Sequence, residues 1–143
     1  MAAAEQSIVI DVARDAFMAV IADYERYPEF LRDMKETRIV QRDSNVVDVA
    51  FTLHLVRRID YTLRLVEDPP NGLSWTQVDG AFKRNDGGWT LESLDDGRTR
   101  ATYRIEVAVG VFVPGSIVNR LVGQTLPDTL RAFKDRAEEL ACS

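Results

Sequence analysis

The sequence is poor in the residues that most often carry metal or covalent chemistry. It contains one histidine, His54, and one cysteine, Cys142. One residue of each type cannot form a zinc-binding set, and one cysteine cannot form a disulfide within the chain. No Gly-x-Ser-x-Gly motif marks a nucleophilic serine, and no glycine-rich phosphate loop is present. The sequence therefore predicts no metal, no cofactor and no catalytic residue.

Excess positive charge and long apolar runs are also missing. The chain has 18 lysine and arginine residues against 23 aspartate and glutamate residues, a formal net charge of −5. Nucleic-acid binding needs clustered basic side chains, so no nucleic-acid partner is expected. No apolar run approaches the roughly 20 residues that span a bilayer. Residues 1–6 lack the pattern of a secretory signal. With no disulfide to form, we expect a cytoplasmic protein.

What the chain does contain is enough apolar material for one core. Hydrophobic residues make up 45% of the 143 residues and charged residues 29%, which is typical of a globular protein. A chain of this length buries roughly two thirds of its unfolded surface in one domain. The sequence has no internal repeat, low-complexity stretch or linker. We therefore expect residues 1–143 to form a single domain.

Helical patterns flank a run of strand patterns. Residues 7–12 are rich in β-branched side chains and predict a first strand. Asp11 is then expected to cap a helix over residues 14–23, and residues 24–31 predict a second short helical turn. At the other end, residues 127–140 predict one long amphipathic helix. Its apolar face is formed by Leu126, Leu130, Phe133, Ala137 and Leu140.

Six strand-like segments lie between these helices. Residues 47–55 and 59–65 alternate strictly between apolar and polar side chains, which predicts one buried and one wetted face. Turn residues predict a break at Pro69 to Gly72 before a strand over residues 73–78. Asp79-Gly80 and Asn85-Asp86-Gly87-Gly88 predict two further breaks, on either side of a short strand containing Phe82. Strands followed by one helix predict the α+β class, with a curved antiparallel sheet of about seven strands wrapped around the last helix. Such a sheet tends to leave an apolar space beneath the helix.

The segment before the last helix is unusually apolar and carries glycine and proline. Residues 110–123, bounded by Gly110 and Gly123, are the candidate gate for this space. Their apolar side chains at 111–113 and at Ile117 predict either a lid or lip that touches a membrane transiently, or a buried loop against the end of the sheet. The buried loop is favoured because such loops are common. Residues 116–124 predict a helical turn or two that bends at Pro127.

Three stretches carry a family resemblance. Tyr27-Pro28-Glu29-Phe30-Leu31 follows the first helix, residues 78–84 with Gly87-Gly88-Trp89 lead into a strand, and residues 130–139 close the chain. In order and spacing they resemble the START-like, helix-grip superfamily, which includes polyketide cyclases/dehydrases and coenzyme Q-binding proteins. The likeness spans nearly the whole chain and is greatest to the coenzyme Q-binding and ribosome-associated toxin branch. Ala81 departs from that branch, which usually has proline there.

The resemblance to aromatic polyketide cyclases implies a polar pocket with an arginine on a central strand. In this chain the inward positions of the corresponding strand are Ile59, Tyr61, Leu63 and Leu65. Arg64 alternates to the other side of the sheet, so the cyclase's arginine is missing. His54 likewise alternates away from the predicted cavity and is interpreted as a solvated strand residue. Both observations argue against cyclase chemistry.

Inward-facing side chains of the sheet and the last helix are expected to line the cavity. Tyr61, Tyr103 and Gln77 have polar ends that a ligand carbonyl or hydroxyl would satisfy. The predicted ligand-binding residues are Tyr27, Phe30, Phe51, Leu53, Tyr61, Leu63, Trp75, Gln77, Phe82, Trp89, Tyr103, Ile105, Leu126, Leu130 and Phe133.

Three functions fit the sequence. The first is a binding module that sequesters or carries a small hydrophobic ligand, such as a lipid, an isoprenoid quinone or a polyketide-like molecule. The second is a polyketide cyclase/dehydratase that uses the same cavity, with Tyr61, Tyr103 or Gln77 placing an enolate. The third is a protein-interaction domain, as the resemblance to ribosome-associated toxin proteins implies. The acidic net charge of −5 disfavours the third, since a ribosomal partner favours basic surfaces.

Overall fold

A computed structural model describes residues 2–55, 57–108 and 114–142. The strands are β1 (Ala2–Ile10), β2 (Met34–Asp43), β3 (Val46–Leu55), β4 (Arg57–Asp68), β5 (Gly72–Gly80), β6 (Arg84–Ser93) and β7 (Thr99–Ala108). The helices are α1 (Arg14–Ile21), a 3₁₀ helix (Tyr24–Glu29), α2 (Gly115–Asn119), a π-helical turn (Arg120–Gln124) and α3 (Leu126–Cys142).

The strands form one antiparallel sheet in the order β1-β7-β6-β5-β4-β3-β2. Strands β2 to β7 each pair with the next strand along the chain, as expected when short turns connect them. Strand β1 instead pairs with β7, which places Ile10 opposite Thr99. Helix α1 and the 3₁₀ helix connect the two edges of the sheet, and α3 contacts both α1 and β1. The predicted α+β fold, with a sheet of seven strands and a long C-terminal helix, is confirmed.

The alternation predicted for β3 and β4 is confirmed. Phe51 lies opposite Tyr61 and Val49 opposite Leu63, and these side chains turn toward α3. The opposite face is polar, where Arg64 Nε lies 2.9 Å from Asp48 Oδ1 across the same two strands. A period of two in each strand thus puts one apolar face over the core and one charged face in water.

The predicted break at Gly87-Gly88 is wrong, because both glycines lie inside β6. A Cβ on Gly87 would come 2.6 Å from Trp75 Cζ2 and 2.3 Å from the carbonyl oxygen of Arg104. Glycine is therefore needed for close approach of the indole to the β6 backbone and does not form a turn here. The predicted short strand at Phe82 is also absent, since Phe82 lies in the connection between β5 and β6 with its side chain buried.

The first helix does not begin as the sequence predicts. Ala13 occupies its N-terminal flank and no side chain caps α1, so the expected capping by Asp11 is wrong. The backbone N–H of Asp11 instead donates to Glu138 Oε2 of α3 at 2.8 Å, which ties the end of β1 to the last helix. β1 also begins earlier than predicted, at Ala2.

The long last helix is confirmed, and one residue of its predicted apolar face is exposed. Leu126, Leu130, Phe133 and Ala137 are buried, whereas Leu140 is 50% exposed near the helix end. Pro127 lies in the first turn of α3, where a backbone N–H would have no acceptor within the helix. Proline at this position therefore costs the helix no hydrogen bond. None of the helices in the described ranges is long and apolar enough to cross a bilayer.

The apolar interior divides into two clusters. The larger contains α1, the buried face of α3 from Leu126 to Ala137 and the sheet residues beneath them, including Trp89. The smaller contains α2 residues Ile117 and Val118 against Leu55, Ile59 and the end of β7. Ile117 is buried, which agrees at this one position with the predicted buried loop rather than with the lid. Residues 109–113, which include the rest of the predicted lid side chains, lie outside the described residues.

Candidate ligand-binding cavity

A cavity of about 620 Å³ lies between the sheet, the first half of α3 and the segment 30–34. This volume is within the range of roughly 300–1,000 Å³ that small-molecule sites occupy. Strands β3 to β7 supply its floor, and α3 with the π-helical turn supplies its opposite side. Its lining consists of Phe30, Leu31, Arg32, Asp33, Met34, Leu53, Tyr61, Leu63, Trp75, Asn85, Tyr103, Ile105, Arg120, Thr125, Leu126, Asp128, Thr129 and Ala132.

Part of the predicted set lines this cavity. Its members come from the segment after the 3₁₀ helix, from four strands and from the start of α3. They are Phe30, Leu53, Tyr61, Leu63, Trp75, Tyr103, Ile105 and Leu126. The structure thus brings together the inward positions of β3, β4, β5 and β7 that the alternating pattern indicated, and ligand contact by them stays a prediction.

The rest of the predicted set lies outside the cavity lining. These side chains are Tyr27, Phe51, Gln77, Phe82, Trp89, Leu130 and Phe133. Most of them fill space between the sheet and the helices with aromatic contacts. The Phe133 ring lies 5.2 Å from Trp89 and 5.3 Å from Tyr27, centroid to centroid, with edge-to-face geometry in both pairs. This aromatic packing fills the space around Phe133, and the cavity lies beneath the preceding turns of α3, which line it with Leu126, Asp128, Thr129 and Ala132.

Two tyrosines, Tyr61 and Tyr103, line this cavity. The Tyr61 ring stacks on Phe51 at 5.3 Å, and the Tyr103 ring meets Trp89 edge-on at 4.9 Å, so both rings are held by neighbours. Burial raises the pKa of both hydroxyls well above the usual value for tyrosine, and the nearby Tyr103 raises that of Tyr61 further. Both phenols therefore stay protonated at neutral pH and can donate hydrogen bonds.

Asn85 is a cavity residue that sequence reasoning missed. It lies on β6 with only 3% of its surface exposed, and its Oδ1 accepts a hydrogen bond from Trp75 Nε1 at 3.2 Å. The sequence Asn85-Asp86-Gly87-Gly88 resembled a turn, which hid an inward-facing strand position. The usable signal was the spacing of Asn85, Gly87 and Trp89, which is the period of two of a strand.

Gln77 is placed differently from its prediction. Its Nε2 donates to the carbonyl oxygen of Phe82 at 2.6 Å, which fixes the connection between β5 and β6. Its Oε1 is buried without a hydrogen-bond partner among the described residues. The side chain does not line the cavity, so its polar end serves the local backbone.

Charged residues form the accessible rim of the cavity, and the sequence did not single them out. Arg32, Arg120 and Asp128 are exposed members of the lining, and Asp33 is half-buried. Within the described residues neither Arg32 nor Arg120 forms an ion pair. The rim therefore presents both charge signs around a largely apolar interior.

Arg136 holds one wall of the cavity to α3. Its Nη2 lies 2.6 Å from Glu29 Oε1, and its guanidinium lies 5.3 Å from the centre of the Phe30 ring. The hydrogen bond from Arg136 lowers the pKa of Glu29 below its usual value. Since Phe30 begins the segment 30–34 that lines the cavity, these contacts fix that segment against the helix.

The outer face of the sheet holds the remaining candidates. His54 is exposed between buried Leu53 and Leu55, and Arg64 pairs with Asp48 on the same face, as the alternation predicted. Among the described residues no group of three or more His, Cys, Asp or Glu side chains is placed to hold a metal ion.

Comparison with known proteins agrees with this architecture. The Zhui aromatase/cyclase from Streptomyces sp. R1128 superposes with a TM-score of 0.84 at 16% identity, over 96% of this chain and 93% of that one. A START superfamily protein from Mycobacterium smegmatis gives 0.84 at 18% identity, over 96% and 98%. A STAR-related lipid transfer protein from Xanthomonas axonopodis gives 0.79 at 16% identity, over 94% and 84%. At these identities the structures show a shared fold.

Sequence comparison identifies the family. No curated protein matches the chain closely enough to carry a function across. The family described as polyketide cyclase/dehydrase and lipid transport matches residues 10–134, which is most of the sequence. The match includes the first two stretches that carry the resemblance noted above and the beginning of the third. The chain therefore belongs to the polyketide cyclase/dehydrase and lipid transport family.

Proposed function

We propose that the protein binds and carries a small, largely apolar molecule in the cavity beneath the first half of α3. The cavity of about 620 Å³ is the observation that carries this proposal. At ~30 Å³ per water, such a space corresponds to roughly 20 water molecules, enough for a ligand of isoprenoid, lipid or polyketide-like type.

The lining supplies the affinity such a ligand needs. Leu53, Leu63, Ile105 and Leu126 are buried apolar side chains on four different elements around the cavity. Removing ~300 Å² of apolar surface from water contributes ~7 kcal/mol before the costs of association. Family membership and the fold shared with a lipid transfer protein support the same conclusion.

A second candidate function is cyclase or dehydratase catalysis in the same cavity. The observation that favours it is a carboxylate on the same lining as two protonated phenols, namely Asp33 with Tyr61 and Tyr103. Asp33 would take a proton from a carbon between two carbonyls, while a phenol donates to the enolate oxygen. Turnover of a linear poly-β-ketone thioester that is lost in Asp33→Asn, with binding kept, would favour the enzyme.

Binding is tested with an uncharged fluorescent probe and a pair of matched variants. Ala132 lines the cavity from α3, whereas Ala141 is exposed near the end of the same helix. We expect N-phenyl-1-naphthylamine to bind the wild-type protein saturably. Ala132→Trp fills the cavity and should weaken binding at least about tenfold, a change of ~1.4 kcal/mol. Ala141→Trp should bind the probe as the wild type does.

Extraction gives an independent measurement. Organic solvent should release an apolar molecule from wild-type protein purified from cells, and mass spectrometry should find less of it with Ala132→Trp. A wild-type protein that takes up no probe and releases no apolar molecule overturns the proposed function. Equal probe affinity in Ala132→Trp and Ala141→Trp would place the binding site outside this cavity.

A further inference from the structure

We propose that the sheet side of the cavity is a carbonyl-binding subsite, in which Asn85, Tyr61 and Tyr103 donate hydrogen bonds to carbonyl oxygen of an otherwise apolar ligand. The inference rests on the proposed function and deepens it by naming the chemical class of the ligand. It excludes a pure hydrocarbon as the preferred occupant.

Asn85 is the residue that carries the inference. An indole N–H can only donate, so Trp75 fixes the Asn85 amide with Oδ1 toward the ring and leaves the NH₂ group as the free end. The hydrogen bond from Trp75 is the one that the Asn85 side chain makes with the described residues, and it leaves the NH₂ group without an acceptor there. Asn85 lines the cavity and has only 3% of its surface exposed, so we infer that this donor is available to a ligand in the cavity.

The two tyrosines extend the same donor surface. The Tyr103 ring contacts Trp75 at 5.4 Å between centroids, and Trp75 binds Asn85, so these three side chains form one contiguous group. Tyr61 contributes from β4, where Phe51 and Phe82 hold its ring. No described residue accepts from either hydroxyl, and both hydroxyls remain protonated because burial raises their pKa.

The chemistry of this group selects the ligand. An amide NH₂ group and two phenols offer several donors, while the amide oxygen is already used by Trp75. A ligand that displaces water from these donors must supply acceptors to avoid a loss of hydrogen bonds, and a carbonyl oxygen accepts two hydrogen bonds without needing to donate one. A ligand with a ketone, quinone or ester carbonyl in its apolar body therefore matches the cavity better than the corresponding hydrocarbon.

Two probes of nearly equal shape test the subsite. 2-Acetylnaphthalene has a carbonyl where 2-ethylnaphthalene has a methylene group, and each can displace N-phenyl-1-naphthylamine. The variants are Asn85→Leu and the double variant Tyr61→Phe/Tyr103→Phe. We expect each to weaken binding of the ketone by about threefold to tenfold per lost hydrogen bond, with binding of the hydrocarbon unchanged or tighter.

Thr129→Val is the matched control. Thr129 lines the cavity, but its hydroxyl donates to the carbonyl oxygen of Thr125 at 3.0 Å within the helix region. Removing this hydroxyl should leave the ratio of ketone to hydrocarbon affinity as it is in the wild type. The carbonyl stretching frequency of bound 2-acetylnaphthalene provides a second readout, lowered in the wild type and in Thr129→Val and higher in the donor variants.

The outcomes separate the two proposals. If both probes bind the wild type, and the variants change both affinities in parallel or leave the carbonyl frequency unaltered, the subsite is overturned while ligand binding stands. If neither probe binds the wild type, the proposed function and the subsite fail together. Should Asn85→Leu not fold, the double tyrosine variant decides the question, because the hydroxyls that it removes form no hydrogen bond with any described residue.

Discussion

The rings of Phe51 and Tyr61 lie face to face on neighbouring strands, with centroids 5.3 Å apart and planes inclined by 17°. The two residues are directly opposite in the register of β3 and β4. Tyr61 is thus positioned through its ring, whereas Tyr27 is positioned through its hydroxyl, which donates to the buried carbonyl oxygen of Ile21. The same residue type therefore serves the cavity at one site and the core at the other.

Removing the two hydroxyls should have different effects on stability. Tyr27→Phe leaves the Ile21 carbonyl without this donor in the core and should lower the free energy of unfolding by about 1–3 kcal/mol. Tyr61→Phe removes a hydroxyl that no described residue binds, so it should change the free energy of unfolding by about 0.5 kcal/mol or less. Urea denaturation of both variants measures the difference. Equal losses would contradict the distinction between the two tyrosines.

Gly87 and Gly123 offer a second matched pair. Alanine at Gly87 would place its Cβ 2.3 Å from the Arg104 carbonyl oxygen and against the Trp75 indole, so we expect a loss of about 1–3 kcal/mol. Alanine at Gly123 meets nothing within 4 Å and lies in a helical turn, where it should be neutral or stabilise by up to about 1 kcal/mol. Thermal unfolding of Gly87→Ala and Gly123→Ala gives both values.

Gly87→Ala should also disturb the cavity. Displacement of the Trp75 ring would weaken its hydrogen bond to Asn85 and move a lining side chain. A Gly87→Ala protein with unchanged stability and unchanged near-ultraviolet circular dichroism would show that the sheet absorbs the extra carbon without moving the indole.

Acid should weaken the attachment of α3 to the rest of the fold. The hydrogen bond from Lys134 holds the pKa of Glu138 below its usual value, with a further contribution from the Asp11 N–H. A carboxylate with a lowered folded-state pKa stabilises the protein above its unfolded pKa and loses that contribution as pH falls through the folded value. The free energy of unfolding should therefore decline below about pH 5.

Glu138→Gln tests this origin of the pH dependence. The amide cannot titrate, so the variant should be less stable than the wild type at neutral pH and closer to it at low pH. Denaturant titrations from neutral pH down into the acid range supply the comparison. A constant difference between the two proteins at every pH would show that Glu138 does not contribute to the decline.

Arg136 should control how fast a ligand exchanges. Its contacts with Glu29 and Phe30 fasten the segment 30–34, which lines the cavity, to α3. Loss of an ion pair worth about 0.5–1 kcal/mol predicts a twofold to fivefold faster release of N-phenyl-1-naphthylamine from Arg136→Met. Stopped-flow fluorescence measures the rate.

Arg131→Met serves as the comparison, because Arg131 is exposed on the same helix and contributes to none of these contacts. Its release rate should equal that of the wild type. If both arginine variants accelerate release alike, the effect reflects net charge and not the attachment of the cavity wall.

The parts of the fold that the sequence predicts well are those governed by a regular period. The two-residue alternation in residues 47–55 and 59–65 predicts both the strands and the buried face of each. The steps of three and four from Leu126 to Ala137 predict the buried face of α3 in the same way. Leu140 follows the period and is nevertheless exposed, since the helix extends past the surface it packs on.

The position of the cavity depends on how completely the side chains fill the space between the sheet and α3. The spacing of apolar residues predicts which face is buried, but it does not predict how well that face is filled. Phe133 and Leu126 occupy the same predicted face of α3, yet Phe133 is surrounded by aromatic rings and Leu126 borders open space. Asn85 was obscured because its neighbours resemble turn residues. Arg32 lies in the connection before β2 and Arg120 in the π-helical turn before α3, and the sequence pattern of neither segment indicates which side chains face the cavity.

The pairing of β1 with β7 has a consequence for how the chain folds during its synthesis. The residues of β1 pair with residues about a hundred positions later in the sequence, as the pairing of Ile10 with Thr99 and of Ala2 with Val107 shows. During synthesis the first strand must wait, unpaired, until the seventh has emerged. Tyr103 and Ile105 belong to that seventh strand, so the lining of the cavity is incomplete until β7 has been synthesised.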